Sequence, residues 1–275
     1  MVVIWKKKTF YMSGYLRKNL DNYVKGVMTK NTSAVFIFDG RSGLGKTTLS
    51  SQVGCYLALK ISEYMKREPK FSLDDMVWTP KDFVEKLKKA KKGDIIILDE
   101  SMILSNRSTM SEMNRMVIIM MSLIRSKQIF VMFNVNSIFD LDKNLPLHRA
   151  DMLVHLYAEG DKFASRGRYM VVPIAKGKLK HLYIVGKKYY DYSVAKTAFV
   201  DHFSKFFPFN EKEYERRKQE AIENYFASET KTSKTAISRN KYINWIKKNH
   251  KFTLEEIGRI GNISRNTVSR ALKED

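Results

Sequence analysis

Cysteine, proline and long apolar runs are all scarce in this chain of 275 residues. The single cysteine, Cys55, excludes an internal disulfide, and no Cys/His grouping has zinc-site spacing. The longest apolar run, MVIIMMSLI at 116–124, is well short of the roughly twenty residues of a membrane span. The opening MVVIWKKK sets its charge after a very short apolar run, the reverse of a signal peptide. Together these scarcities describe a soluble protein of a reducing, cytoplasmic interior with no membrane partner. Acidic residues are also short: 50 Lys and Arg face 29 Asp and Glu, a formal charge of +21. An excess of this size speaks to partners rather than to fold, and a polyanion such as nucleic acid is the partner it fits. What remains is 44% hydrophobic and 12% aromatic, enough for one core of ordinary size and a small second domain.

Along the chain, apolar runs alternate with stretches of helical spacing. Residues 1–33 are basic, with KKK at 6–8 followed by Arg17, Lys18, Lys25 and Lys30. Tyr11, Tyr15, Leu20, Tyr23 and Val24 recur there at roughly helical intervals. This arm either packs on the core or touches nucleic acid. AVFIFDG at 34–40, MVWT at 76–79, DIIILDES at 94–101, IFVMFN at 129–134 and MLVHLY at 152–157 read as strands. Helices are expected over 45–67, from Pro80 onward, and over 111–126. Alternation of this kind, with strands apolar throughout, predicts a mainly parallel sheet covered by helices on both faces. RYMVVPI at 168–174 and KHLYIVG at 180–186 read as an appended antiparallel hairpin. A charged amphipathic helix is expected over 210–227, and the polar stretch ASETKTSKTAISRN at 227–240 reads as a linker.

FIFDGRSGLGKTTLS at 36–50 fits G-x-x-x-x-G-K-[ST], from Gly40 to Gly45, Lys46 and Thr47. The pattern follows an expected strand and opens an expected helix, the context that gives it meaning. Glycines let the loop curl so that main-chain N–H groups from Gly40, Arg41, Ser42, Gly43, Leu44 and Gly45 through Thr48 face a phosphate. The helix dipole adds positive potential at the same place. Lys46 is placed to reach the β- and γ-phosphates, and Thr47 to ligate Mg²⁺. In IIILDE at 95–100, Asp99 ends an apolar strand and supplies the second hold on the ion. Glu100 beside it can polarise an attacking water as general base.

These residues resemble the additional-strand class of P-loop ATPases, which includes RecA-like, AAA+ and HerA/FtsK-like proteins. The resemblance covers roughly residues 34–157. It implies an extra strand between the P-loop strand and the DE strand, for which MVWT is the candidate. It also implies a polar sensor at the end of the next strand, where FVMFNVNS offers Asn134 first and Asn136 second. The segment SLIRSKQIFVMFNVNS resembles the passage from arginine helix to sensor strand in HerA/FtsK-type motors, with asparagine where that family commonly has glutamine. Such ATPases often take an arginine finger from a neighbouring subunit. Arg125, Arg149, Arg166 and Arg168 are the candidates, and Arg149 is preferred because it precedes the last core strand.

FTLEEIGRIGNISRNTVSRALKE at 252–274 resembles the helix-turn-helix of resolvases, repressors and sigma-factor regions. Thr253 and Glu256 form a capping-box pair. Leu254, Ile257 and Ile260 make an apolar face, Gly258 permits a close helix crossing, and Asn262 stands at the turn where the family usually has glycine. Arg265, Asn266, Thr267, Ser269 and Arg270 then fall on or near the face that such motifs present to the major groove. Residues 229–275 carry eleven Lys and Arg against five Asp and Glu, the sign that a DNA partner requires.

The expected architecture is therefore α/β. It comprises a basic arm (1–33), a mainly parallel P-loop NTPase domain with an appended antiparallel hairpin (34–226), a linker (227–240) and a small all-α helix-turn-helix domain (241–275). The expected function is a homo-oligomeric ATPase that uses Mg²⁺ and ATP to act on DNA, broadly like motors of mobile genetic elements. Two rivals stand beside it. One is an ATP-switched DNA-binding regulator or partition protein. The other is a P-loop kinase of small molecules, for which SRGR at 165–168 is the sole hint of a lid.

Overall fold

A computed structural model describes residues 2–99, 124, 127–159, 167–224, 227, 243, 246–248, 252–261 and 263–272. Glu100, Arg125, Arg166, Asn262, nearly all of the helix expected over 111–126 and nearly all of the expected linker lie outside them. The chain divides into two compact units, Met1–Lys218 and Gln219–Asp275.

The first unit is built on a seven-stranded sheet. Its strands are β3 (Ala34–Asp39), β4 (Met76–Val77), β5 (Ile95–Asp99), β6 (Phe130–Asn134), β7 (Met152–Tyr157), β8 (Arg168–Pro173) and β9 (Phe199–His202). Their order across the sheet is β4-β5-β6-β3-β7-β8-β9. The first five are mutually parallel, and β8 and β9 add antiparallel to one edge. Every residue of β3, β5 and β6 is buried. A parallel strand covered on both faces needs apolar groups at odd and even positions alike. That is why these segments read as unbroken apolar runs.

The period of two sorts the core into layers. Val35, Ile37, Ile96, Leu98, Val131, Phe133 and Leu153 join one cluster with Phe83 and Leu87 of α3 (Pro80–Lys89) and Leu145 of α4 (Asn144–His148). Leu179, Leu182 and Tyr183 of α5 (Lys178–Gly186) belong to the same cluster. The alternate residues meet α2 (Lys46–Met65) and α1 (Gly14–Thr29), with Tyr23 of α1 set edge-on against Phe36 at 5.0 Å. Pro80 stands in the first turn of α3, and the Thr79 hydroxyl accepts a hydrogen bond from Asp82 N, so the helix starts where its missing N–H costs nothing.

The basic N-terminal residues pack on this core. The hairpin of β1 (Val2–Trp5) and β2 (Lys8–Tyr11) turns at Lys6 and Lys7, both at positive φ. Leu16, Leu20 and Val24 of α1 are fully buried, at the four-residue spacing of one helix face, and α1 packs against α2.

Two segments differ from expectation. KHLYIVG is helical rather than a strand, and β8 pairs instead with β9. Leu179, Leu182, Tyr183 and Gly186 recur at intervals of three and four and turn inward, leaving Ile184 and Val185 exposed. The apolar run Leu182–Val185, with the β-branched pair Ile184 and Val185, imitates a strand. Burial of Leu179, Leu182 and Tyr183 in the core fits the helical period, and the helix ends closely packed, where a side chain at Gly186 would meet Asp191 O at 2.4 Å. MVWT forms only the short edge strand β4. The strand inserted between the P-loop strand and β5 is β6, so the extra strand comes later in sequence than expected.

In the second unit, α7 (Leu254–Ile260) and α8 (Arg265–Ala271) pack through Ile257, Val268 and Ala271, together with Ile243 and Ile246. Thr253 and Glu256 form the expected capping box. Gly258 allows the close approach, since a side chain there would meet Ile263 O at 2.8 Å.

Asp151 joins the starts of β3 and β7. Its carboxylate accepts from Val35 N at 2.8 Å, and its main-chain oxygen accepts from Tyr23 Oη at 2.9 Å. Burial raises its pKa to about 6, against the pull of the Val35 hydrogen bond. The folded state thus keeps a proton that the unfolded chain releases, so stability falls as pH rises from the ordinary carboxylate range through about 6 and is flat above. Asp151→Asn removes the ionisation and keeps an acceptor. Urea unfolding at about pH 4 and pH 7 should show the variant gaining on wild type by order 2–3 kcal/mol at the higher pH. An equal difference at both values would refute the assignment.

Candidate nucleotide site

β3, β5 and β6 are parallel, so their C-terminal ends open on one edge of the sheet, where ligands of open α/β folds bind. Gly40–Gly45 curls there between β3 and α2. Gly40 has φ +132°, and a side chain on it would meet Leu156 O of β7 at 2.3 Å. Gly45 caps α2 in the left-handed conformation at φ 93°. Only glycine fits both demands at position 40. Ser42, Gly43, Gly45, Lys46, Thr47 and Thr48 line an open pocket whose floor includes Asp99.

Lys46 is 6% exposed. Its ammonium donates to Gly40 O at 2.6 Å, Arg41 O at 3.2 Å and Asn136 Oδ1 at 3.2 Å. Burial lowers its pKa, while Asp99 and Asp39 pull upward and Lys218 adds to the lowering. Its acceptors are neutral oxygens, which the charged oxygens of a phosphate would outbid.

Asp99 is 3% exposed and its two oxygens are both in use. Oδ1 accepts from Thr47 Oγ1 and from Asn134 Nδ2, each at 3.0 Å. Oδ2 accepts from Tyr214 Oη at 2.5 Å. Asn134, fully buried, also donates to Ser50 Oγ at 3.0 Å, and its own Oδ1 has no partner among the described residues. Among those residues no group of three or more His, Cys, Asp or Glu could hold a metal. A divalent ion held by Thr47 and Asp99 would complete its shell with phosphate oxygens and water, the usual manner for Mg²⁺. Glycine-bound backbone, buried ammonium and the Thr47–Asp99 pair fit Mg²⁺ and ATP.

Sequence reasoning placed Lys46, Thr47, Asp99 and Asn134 at one site, and they meet there. Asn136 sits nearer the lysine than Asn134 does. Arg149 follows α4 and precedes β7, which pairs parallel with β3, so it stands by the N-terminal ends of the strands, away from the P-loop at their C-terminal ends. Arg168 is paired with Glu159 at 2.7 Å. Arg265 and Asn266 are exposed in the second unit, with Thr267 and Ser269 half-buried.

Two features were not expected. Asp39, fully buried before the loop, accepts from Tyr192 Oη and from Ile138 N at 2.8 Å, and lies 2.8 Å from His155 Nδ1. The chain after β9 also runs back over the loop. Gln52 of α2 donates to Ser204 O and Phe206 O at 2.7 Å each, Phe206 stacks on Phe10 at 4.9 Å, and Phe203 lies against Gly45. Helical residues 211–218 (α6) then bring Tyr214 and Lys218 to the pocket. The aromatic cluster FSKFFPF at 203–209 is the one sequence signal of this strap.

Sheet, loop and acidic strand end together define a P-loop ATPase domain. Residues 36–157 match the model of the "ATPase family associated with various cellular activities (AAA)", which supports an ATPase domain in this stretch with ATP and Mg²⁺ as its nucleotide and ion. A search of curated proteins finds no match to the chain. Among the described residues no helix is long and apolar enough to cross a membrane.

Lys46→Ala removes the one buried cation of the cradle. Nucleotide affinity, measured by calorimetry on protein with unchanged circular dichroism, should fall about 10–100-fold. Wild-type affinity would refute the cradle.

Proposed function

We propose that this protein is a homo-oligomeric, DNA-binding ATPase of the additional-strand class, broadly like the motors of mobile genetic elements. The observation that carries the reading is the coexistence in one chain of an ATPase domain and a basic two-helix unit that exposes Arg265 and Asn266. The position of β6 between the P-loop strand and β5 supports the class. The net charge of +21 supports a polyanion partner.

In this reading the α7–turn–α8 pair is a helix-turn-helix. Arg265, Asn266, Thr267, Ser269 and Arg270 fall along its second helix, and the N-terminal part of such a helix is the part that enters a major groove. Bound ATP supplies the phosphoanhydride that is cleaved. Lys46 and the loop amides bind and orient its phosphates, and Thr47 and Asp99 hold the cation. Glu100 follows the last residue of β5 and takes the proton of the attacking water as general base. Asn134 holds Asp99 in place, and Arg149 serves a neighbouring subunit's site, since its own lies at the other end of the parallel strands.

The alternative is a regulator whose ATP state sets its grip on DNA. Turnover separates the two. With duplex DNA present, wild type should hydrolyse ATP several-fold faster than alone, and Glu100→Gln should bind ATP yet turn over at least about 100-fold more slowly. Slow turnover indifferent to single-stranded and duplex DNA would favour the regulator, and full turnover in Glu100→Gln would remove the base from this residue.

Arg265→Ala in the full chain tests the groove-reading face. Duplex affinity should drop about 5–100-fold and sequence preference should relax, while basal ATP hydrolysis is unchanged. Unaltered binding at two salt concentrations would make the second unit a protein-docking module.

A further inference from the structure

Glu211, Tyr214, Glu215 and Lys218 all line the nucleotide pocket. Their spacing of three, four and seven puts them on one face of α6. The helix is anchored where it lies. Arg217 pairs with Asp74 at 2.6 Å, and the Tyr214 ring sits between Trp78 at 6.0 Å and Phe207 at 5.4 Å. Three ammonium groups (Lys46, Lys205, Lys218) and three carboxylates (Asp99, Glu211, Glu215) line this one pocket. That is the complement of an anionic polyphosphate carrying a divalent cation.

Tyr214 donates to Asp99 Oδ2, and Lys218 Nζ donates to Tyr214 Oη at 3.2 Å with its charge 5.4 Å from the ring centre. The tyrosine is 6% exposed. Thr47 and Asn134 already fill Oδ1. Oδ2, with one donor, is therefore the oxygen more open to a cation shell, and Tyr214 is what stands on it.

We propose that α6 is a clasp acting in cis on the nucleotide site, in which Tyr214 holds Asp99 until a cation-bearing nucleotide enters and Lys218 is an additional phosphate ligand. Tyr214 is a positioning residue: it keeps a buried carboxylate satisfied in the resting site and yields it on loading. Lys218, released from the hydroxyl, turns its charge to phosphate oxygens. The exchange makes loading depend on the cation and on the number of phosphates. It rests on the ATPase reading and extends it to the control of that site.

The test measures binding, with no DNA and no turnover. The full chain is titrated with fluorescent ADP and a non-hydrolysable fluorescent ATP analogue, each with Mg²⁺ and with EDTA. Tyr214→Phe keeps the ring and loses the donor. It should bind the triphosphate about tenfold more tightly with Mg²⁺ and unchanged in EDTA. Lys218→Gln should weaken the triphosphate about tenfold and the diphosphate less, and Lys218→Arg should restore it. Equal shifts with and without Mg²⁺, or wild-type binding by both variants, would overturn the clasp while leaving the ATPase reading intact. Failure of wild type to bind either nucleotide would overturn both.

Discussion

The carboxylate of Asp99 is the point on which the rest of the nucleotide site depends. A buried charge must be met by donors, because desolvation without them is too costly to sustain. Three donors meet it here, and each arrives on a different element: Thr47 on α2, Asn134 on β6 and Tyr214 on α6. The order of strands makes this convergence possible. β6 lies beside β5 with Asn134 in register with Asp99, and α2 crosses the same sheet face. The P-loop lysine gains its position from the same arrangement, since the carbonyls that hold it belong to the loop between β3 and α2.

The parallel core and the phosphate loop were legible in the sequence because both are local signals. An apolar run covered on two faces can hardly be disguised, and a glycine-lysine-threonine loop carries its own geometry. Asp99 was legible for the same reason, as the acid that ends such a run. KHLYIVG was misread because strand and helix periods overlap in a seven-residue window, and only the burial of Leu179, Leu182 and Tyr183 together reveals the helical face. The position of MVWT was misread because chain order does not reveal sheet order.

Tyr214, Lys218 and Gln52 could not be found from the sequence at all. Their roles come from which segment lies on which, and nothing about an amphipathic helix at 211–218 names the surface it will cover. The network on Asp39 is of the same type, since Tyr192 and His155 reach it from far along the chain. Residues that face across distant segments carry no periodic mark. Those that build a turn or a strand do.

The strap over the phosphate loop has a consequence for how the protein comes into being. Gln52 and Ser204 are 152 positions apart, and Asp99 and Tyr214 are 115 apart. Domains fold as units while the chain is still being made, N-terminal parts first. The loop of residues 40–45 therefore leaves the ribosome long before the helix that lies over it. While the 115 positions between them are being added, Asp99 has no Tyr214 to meet it, and the phosphate site is built before the helix that covers it.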